Sequence, residues 1–367
     1  MTYSKEQVLN ALKNVIDPDL KKDLVSLNMI SDINVDENKN ISFTVTLTTP
    51  ACPLKESIKK ACIEAVHEFV DKDANVTVNM SSKVTSKRPQ EEEFLKGVKN
   101  IIAVASGKGG VGKSTIAANL AIALSNLGSK VGLIDADIYG PSIPVMFGLE
   151  NAHPEIIEIN EKPKMVPIEK YGIKVLSIGF FVDPNQALVW RGPMASSALT
   201  QLFRDGDWGE LDYLVIDLPP GTGDIHLTLV QTVPVTGVVI VSTPQKVALA
   251  DARKGVSMFQ EQAIKVPVLG LIENMSYFTP EELPNNKYYI FGKDGCKNLA
   301  EEINVPFLGP IPLVQGIRES GDAGRPIATD PKSPVTLAFI EIAQKVAQQV
   351  AIRNETMQPT KIVEVNH

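Results

Sequence analysis

Ala105-Ser106-Gly107-Lys108-Gly109-Gly110-Val111-Gly112-Lys113-Ser114-Thr115 is the stretch whose reading decides the fold. From Gly107 to Ser114 it fits G-x-x-x-x-G-K-[ST], a loop that cradles phosphates. An apolar run at 101–105 precedes it. A helical pattern, Ile116, Leu120, Ala123, Leu124 and Leu127, follows. Each residue type has a reason. Glycines let the backbone turn with positive φ and aim successive N–H groups (Gly109, Gly110, Val111, Gly112) at phosphate oxygens. The helix N-terminus adds partial positive charge. Lys113 reaches the β- and γ-phosphates, Ser114 ligates Mg²⁺, and Thr115 lies beside them in the first helical turn. A glycine-rich turn without a ligand is the plain alternative, and the agreement of motif and context argues against it.

Working outward, further apolar runs recur at 131–134, 175–178, 213–216, 238–241, 268–272 and 307–311. Several are nearly continuous, as expected for parallel strands covered on both faces. Val335, Phe339, Ala343, Val346 and Val350 form a late helix face. Residues 98–353 therefore read as a doubly wound α/β domain with a mostly parallel sheet, followed by a frayed tail at 354–367. Residues 83–97 are polar, charged and broken by Pro89, which reads as a linker. Residues 1–82 read as a small α+β domain of order α-β-β-α-β. Val8, Leu9, Leu12 and Ile16 recur at helical spacing and Asp17-Pro18-Asp19 stops that helix. Strands are expected at 30–35, 41–47 and 76–80. Ile58, Ala61, Cys62, Ala65, Val66 and Phe69 form one helix face between the last two, with Cys62 as plain core.

Composition sets outer bounds. A chain of 367 residues suits two domains, and 44% apolar with 22% charged residues excludes disorder throughout. The net charge of −7 gives no support for nucleic-acid binding. Three scattered cysteines, Cys52, Cys62 and Cys296, do not make a disulfide framework. The first residues turn polar at once, and no run reaches 18 uncharged apolar residues. Neither a secretory leader nor a membrane span is expected, and a cytoplasmic location follows.

Three further segments carry chemistry. Ile134-Asp135-Ala136-Asp137 closes a buried strand with two carboxylates beside the loop, suited to water ligation of Mg²⁺ and to orienting an attacking water. Asp212-Tyr213-Leu214-Val215-Ile216-Asp217 has Walker B form, ending in Asp217 as a Mg²⁺ ligand through water. Pro219-Pro220-Gly221-Thr222-Gly223 then makes a switch-like loop whose Gly221 N–H could meet a γ-phosphate, with Asp224 closing it. Glu273-Asn274-Met275-Ser276 ends another strand with an amide that both donates and accepts.

Together these segments resemble the Mrp/ApbC family of cytoplasmic P-loop ATPases, iron–sulfur cluster carriers, over nearly the whole chain. Asp137-Ile138-Tyr139-Gly140-Pro141-Ser142, Asp217-Leu218-Pro219-Pro220-Gly221-Thr222-Gly223-Asp224 and Glu273-Asn274-Met275-Ser276 carry the likeness. Lys108 matches the extra lysine of the MinD, ArsA and nitrogenase iron-protein group, which contacts nucleotide across a dimer interface. The resemblance makes Asp137 the water-positioning carboxylate and Asn274 the reader of adenine. It makes Gly309-Pro310-Ile311-Pro312-Leu313, with Pro312, the loop packed against the base. The small domain resembles iron–sulfur assembly factors at Asp17-Pro18-Asp19 and Thr49-Pro50-Ala51-Cys52-Pro53. Cys52 sits before a helix opened by Pro53, a place that favours thiolate and hence a 4Fe-4S cluster ligand; a buried structural cysteine is equally open.

One departure stands out. The family commonly carries Cys-x-x-Cys after the Asn-Met-Ser segment, so that two chains supply four thiolates. Here 277–286 holds no cysteine, and Glu281 and Glu282 are poor substitutes. The expected function is an ATP- and Mg²⁺-dependent cluster carrier. It acts as a nucleotide-switched homodimer on apo-protein recipients or an assembly scaffold, without nucleic acid or membrane. The alternative is a metal-free MinD/ParA-type positioning or partner-binding ATPase.

Overall fold

The computed structural model describes residues 3–36, 39–88, 95–181, 192–280, 282–283 and 285–362. Residues 89–94 of the linker, Glu281, the side chain of Asp224 and residues 363–367 of the tail lie outside the described residues. The chain divides into two compact units, Met1–Thr85 with Ala347–Met357, and Ser86–Val346 with Gln358–His367.

The small unit runs α1 (Lys5–Leu12), β1 (Ile30–Val35), β2 (Asn40–Leu47), α2 (Lys55–Phe69) and β3 (Asn75–Ser82). Ser4 and Gln7 form a reciprocal capping box that starts α1. β1 pairs antiparallel with β2, and β2 pairs parallel with β3 across the α2 crossover. Val8, Leu12, Phe43, Val45, Cys62 and Val66 lie in one core. The helix expected to reach Ile16 ends at Leu12 instead. Ile16 pairs with Asp23 in an isolated bridge, and the Asp17 carboxylate accepts from the N–H groups of Asp19 and Leu20. That local carboxylate turn competes with helix and wins.

The large unit runs β4 (Val98–Ala105), α3 (Lys113–Asn126), β5 (Val131–Asp135), α4 (Ile143–Phe147), β6 (Glu155–Ile159), β7 (Lys162–Val166), β8 (Ile168–Lys170) and β9 (Ile173–Ser177). It continues with α5 (Gly192–Arg204), β10 (Leu211–Asp217), α6 (Asp224–Thr232), β11 (Gly237–Ser242), α7 (Lys246–Gln260), β12 (Val268–Glu273), α8 (Gly295–Glu302), β13 (Phe307–Pro310) and α9 (Gln315–Asp322). The last helix, α10 (Pro334–Thr356), extends past Arg353, where the sequence places the start of a tail, and its turns from Ala347 group with the small unit.

All seven apolar runs form strands of one eight-stranded sheet, in the order β13-β12-β11-β4-β10-β5-β9-β8. Every pairing in it is parallel except that of edge strand β8. Chain order reverses direction at β4: α3 leads out towards β5, while α6 leads back past β4 to β11. Ligands of such sheets bind beyond the carboxyl ends at that switch point, where the Gly107–Ser114 loop emerges. Register sets the site. Asp217 pairs with Asp135 on one side and with Val104 on the other, so the two carboxylates end adjacent strands at the same level. α3 is buried all round from Ile116 to Leu124 rather than on one face; a helix apolar on every side belongs inside a layered core.

Candidate active site

The loop between β4 and α3 takes the shape its glycines permit. Gly110 and Gly112 have φ of 79° and 81°, in the left-handed region. Gly112 caps α3, and a Cβ there would stand 2.2 Å from the Asn274 amide nitrogen. A Cβ on Gly107 would stand 2.2 Å from the backbone of Asp251 in α7. The loop is thus seated against its neighbours at both ends.

Lys113 is buried and points at the strand ends. Its Nζ donates to Asp217 Oδ1 at 2.7 Å and to Ser114 Oγ at 3.2 Å, and lies 3.6 Å from Asp137 Oδ2. The structure therefore brings Lys113, Ser114, Asp137 and Asp217 together. Asp135 completes the group from below. Its carboxylate accepts from the N–H groups of Asp137 and Ile143 and from the Ser177 hydroxyl. Burial pushes Asp135, Asp137 and Asp217 above the ordinary carboxylate range. The Asp217 charge adds to the shift at Asp135, while the Lys113 ammonium opposes it at Asp137 and Asp217. Asp217 Oδ2 is buried without a hydrogen-bond partner. An orphaned carboxylate oxygen beside the Ser114 hydroxyl and Asp135 makes an all-oxygen set that fits hard Mg²⁺.

Beside the loop lies a cavity of about 590 Å³ lined by Gly112, Thr115, Asn274 and Pro312. Arg318 and Asp322 line it too, paired at 2.7 Å. Asn274 Nδ2 donates to Val111 O at 2.8 Å, so the amide is fastened to the loop at the cavity wall. Lys108 is half-buried, its carbonyl accepting from the Ser106 hydroxyl. The Gly221 N–H, expected to face a γ-phosphate, donates instead to Ser106 O at 2.8 Å. In this state the switch-like loop is tied down to the end of β4.

Sequence reasoning missed three supporting groups. Ser177 reaches Asp135 because β9 pairs with β5 in register, Ser177 opposite Asp135. Asn119 accepts from Ala328 N–H and donates to Thr115 O, which braces α3. Glu273 holds the Ser276 hydroxyl and the Cys296 N–H with its two oxygens. Its place one residue before Asn274 was the available signal.

The cysteines stand apart from this group. Cys62 and Cys296 are fully buried; burial pushes Cys62 up to about 12 and Cys296 well above the usual thiol range. Cys52 is half-buried in the small unit. The expectation that a helix start favours its thiolate is corrected: burial raises its pKa, Asp19 and Asp17 add to the rise, and only a backbone contact at Leu54 opposes it. Among the described residues no group of three or more Cys, His, Asp or Glu side chains is arranged to hold a metal, and no helix is long and apolar enough to cross a membrane.

A family profile described as NUBPL iron-transfer P-loop NTPase matches residues 97–347, and one described as iron-sulfur cluster assembly protein matches residues 5–78. An iron-sulfur cluster carrier protein of Synechocystis is 46% identical over 353 residues, covering 95% of this chain and 98% of the relative. The iron-sulfur cluster transfer protein NUBPL of Dictyostelium discoideum is 51% identical over 270 residues, 73% of this chain and 82% of the relative. Among solved structures, a nucleotide-binding protein of Archaeoglobus fulgidus in complex with ADP aligns with a TM-score of 0.57 and 38% identity, over 66% of this chain and 93% of that one.

Proposed function

Because the chain belongs to the NUBPL iron-transfer P-loop NTPase family, we propose that it is a cytoplasmic ATPase. On this reading it hydrolyses ATP with Mg²⁺ as a homodimer and uses the nucleotide state to load or release an iron–sulfur cluster. The observation that carries the ATPase reading is the Lys113 ammonium between Asp217 and Asp137 at the mouth of the Gly107–Ser114 loop. Bound ATP draws Lys113 from the carboxylates to the β- and γ-phosphates. Backbone N–H groups of the loop take the phosphate oxygens, and Asn274 and Pro312 hold the base. Ser114, Asp135 and Asp217 are the residues that would hold Mg²⁺, which would supply positive charge against the phosphates. Asp137 accepts a proton from the attacking water; burial raises its pKa, which strengthens it as a proton acceptor. Lys108 of a second copy supplies the further cation that phosphoryl transfer favours.

The cluster is cargo for apo-protein recipients or an assembly scaffold. Cys52 is the candidate ligand, as the half-buried thiol among three. Cluster binding is weak or substoichiometric because outside thiolates must complete the set. A metal-free MinD/ParA-type switch is the second reading, favoured by the lack of cysteine at 277–286. The test is anaerobic. The protein is reconstituted with iron and sulfide, and phosphate release and cluster transfer to an apo iron–sulfur protein are followed with and without MgATP. ATP turnover with nucleotide-dependent transfer is expected. Turnover without any transfer would establish the second reading, and no turnover would reject both.

A further inference from the structure

His226 is a buried titratable group with no role in the scheme above. It is 2% exposed, and neither ring nitrogen makes a well-formed hydrogen bond, although the backbone of Gly223 and Pro219 lies near enough to act on the ring. Buried polar groups are nearly always paired, and an orphan calls for a cause. The residue stands in the first turn of α6, directly after the Pro219–Gly223 loop, and its N–H donates to Gly223 O at 3.0 Å. Its main chain is therefore tied to the end of that loop. One side of the ring meets Phe259 of α7 edge-on, with centroids 6.2 Å apart. His226 also belongs to the wall of a cavity of about 450 Å³ shared with Asp137, Tyr139, Pro220 and Ile225, its two ring nitrogens covered in this state. A water takes about 30 Å³ of liquid volume, so there is room for several.

Burial lowers the imidazole pKa to about 4, with Lys113 adding to the fall and the backbone of Gly223 and Pro219 opposing it. The ring is neutral at ordinary pH, with one nitrogen carrying hydrogen and the other a lone pair. A water attacking phosphorus spends a lone pair on the new bond, and both of its O–H groups then need acceptors. Asp137 supplies one. Among the described residues lining the cavity, Pro219, Pro220 and Ile225 have no side-chain acceptor, and the Tyr139 side chain is largely exposed.

We infer that the neutral imidazole of His226 is the second acceptor for the attacking water, in the state reached when nucleotide repositions the Pro219–Gly223 loop. The inference rests on the proposed ATPase reading. One water proton passes to Asp137 while oxygen bonds to the γ-phosphorus and the bond to the β-phosphate oxygen breaks. The other proton stays on that oxygen, hydrogen-bonded to His226, and leaves in the phosphate product.

Two variants of the full chain test this, His226→Phe and His226→Gln. His226→Phe keeps ring volume against Phe259 and removes both orphaned nitrogens. It should melt at or above the parent temperature, bind ATP within twofold of the parent, and lose at least tenfold in kcat with KM nearly unchanged. His226→Gln, which restores an acceptor, should turn over faster than His226→Phe. Parent kcat in His226→Phe would overturn the inference and leave the ATPase reading standing. So would joint loss of stability, affinity and kcat in His226→Phe, or a His226→Gln variant no faster than His226→Phe. A parent protein that does not hydrolyse MgATP would overturn both.

Discussion

Lys113→Ala probes the site through its electrostatics as well as through its ligand. The ammonium is 6% exposed and 2.7 Å from an Asp217 carboxylate that is fully buried. Deleting one partner of a buried ion pair leaves an uncompensated charge and costs about 3–5 kcal/mol. Asp217 can escape part of that by taking a proton, and the sign of the pH dependence follows. In the parent, burial already holds Asp137 and Asp217 above the ordinary carboxylate range and Lys113 is the main opposing influence. Without Lys113 both rise further. A carboxylate whose pKa is raised by folding binds its proton in the native state first, so stability falls as pH rises from the unfolded value, about 3.9, through the folded one. The deficit of the variant against the parent should therefore be largest near pH 8 and shrink towards pH 5. Loss of the lysine stem adds a component that does not vary with pH. At pH 8 a deficit of about 3 kcal/mol corresponds to roughly 6–12 °C in Tm at about 2–4 °C per kcal/mol. Thermal melts of the nucleotide-free proteins from pH 5 to pH 8 read this directly. MgATP affinity, measured on the same samples, should fall at least ~100-fold, about 2.7 kcal/mol. A variant that hydrolyses ATP at the parent rate, or whose deficit is the same at pH 5 and pH 8, would refute the reasoning.

Asp137→Asn should bind MgATP like the parent and lose about 10²–10⁴ in turnover, because the amide keeps shape but accepts no proton; lost binding with normal turnover per bound nucleotide would make Asp137 a structural or Mg²⁺ ligand. Lys108→Ala should bind ADP normally while ATP-dependent dimerisation and hydrolysis weaken. Light scattering with each nucleotide checks this, and equal dimerisation of variant and parent under ATP would exclude the cross-dimer role. Cys52→Ser should lower iron and sulfide retention after reconstitution more than Cys296→Ser does, since the Cys296 thiol is sealed in the core; a full-occupancy cluster that survives Cys52→Ser would overturn that ranking.

What was legible in the sequence follows from which residues act locally. The Gly107–Ser114 loop needs only its own glycines, lysine and flanking periods, and seven apolar runs announced seven strands. The hairpin of β6 and β7 and the edge strand β8 escaped notice because they bury little: Glu155, Glu158, Lys162 and Glu169 are exposed, and no continuous apolar run marks them. α3 was read as one-faced because five apolar positions at helical spacing already satisfied that pattern. The alanines between them report burial on the remaining sides only once a sheet and other helices surround the helix. The pairing of Asp135 with Asp217 joins residues 82 positions apart and depends on parallel register, which no local pattern encodes. His226 gave no signal, since a histidine inside an amphipathic turn looks like any core filler until its unpaired nitrogens are seen. The charge environment of Cys52 failed for the opposite reason. A helix start is a local feature, and α2 begins at Lys55, two residues later than the reading from Pro53; burial, which only the fold supplies, outweighs the backbone contact at Leu54, and Asp19 and Asp17 add to it.

The two halves of the proposed activity stand on unequal chemistry within one chain. The nucleotide end brings a cation, three carboxylates, a hydroxyl and a glycine-shaped loop to one switch point. The cargo end has no comparable convergence among the described residues. At 277–286, where thiolates are absent, the fold instead bridges Phe278 to Tyr288 and sets Lys287 over the Tyr277 ring at 4.1 Å. Neither aromatic rings nor an ammonium can ligate iron, and Cys62 and Cys296 would have to leave a packed core to do so. A cluster bound to this chain must then take most of its ligands from elsewhere, from a second copy or from the donor and recipient. Shared ligation makes cluster affinity depend on how copies or partners are held together. On the proposed homodimer reading, a nucleotide that changes dimer contacts through Lys108 and the Pro219–Gly223 loop controls transfer without touching iron at all.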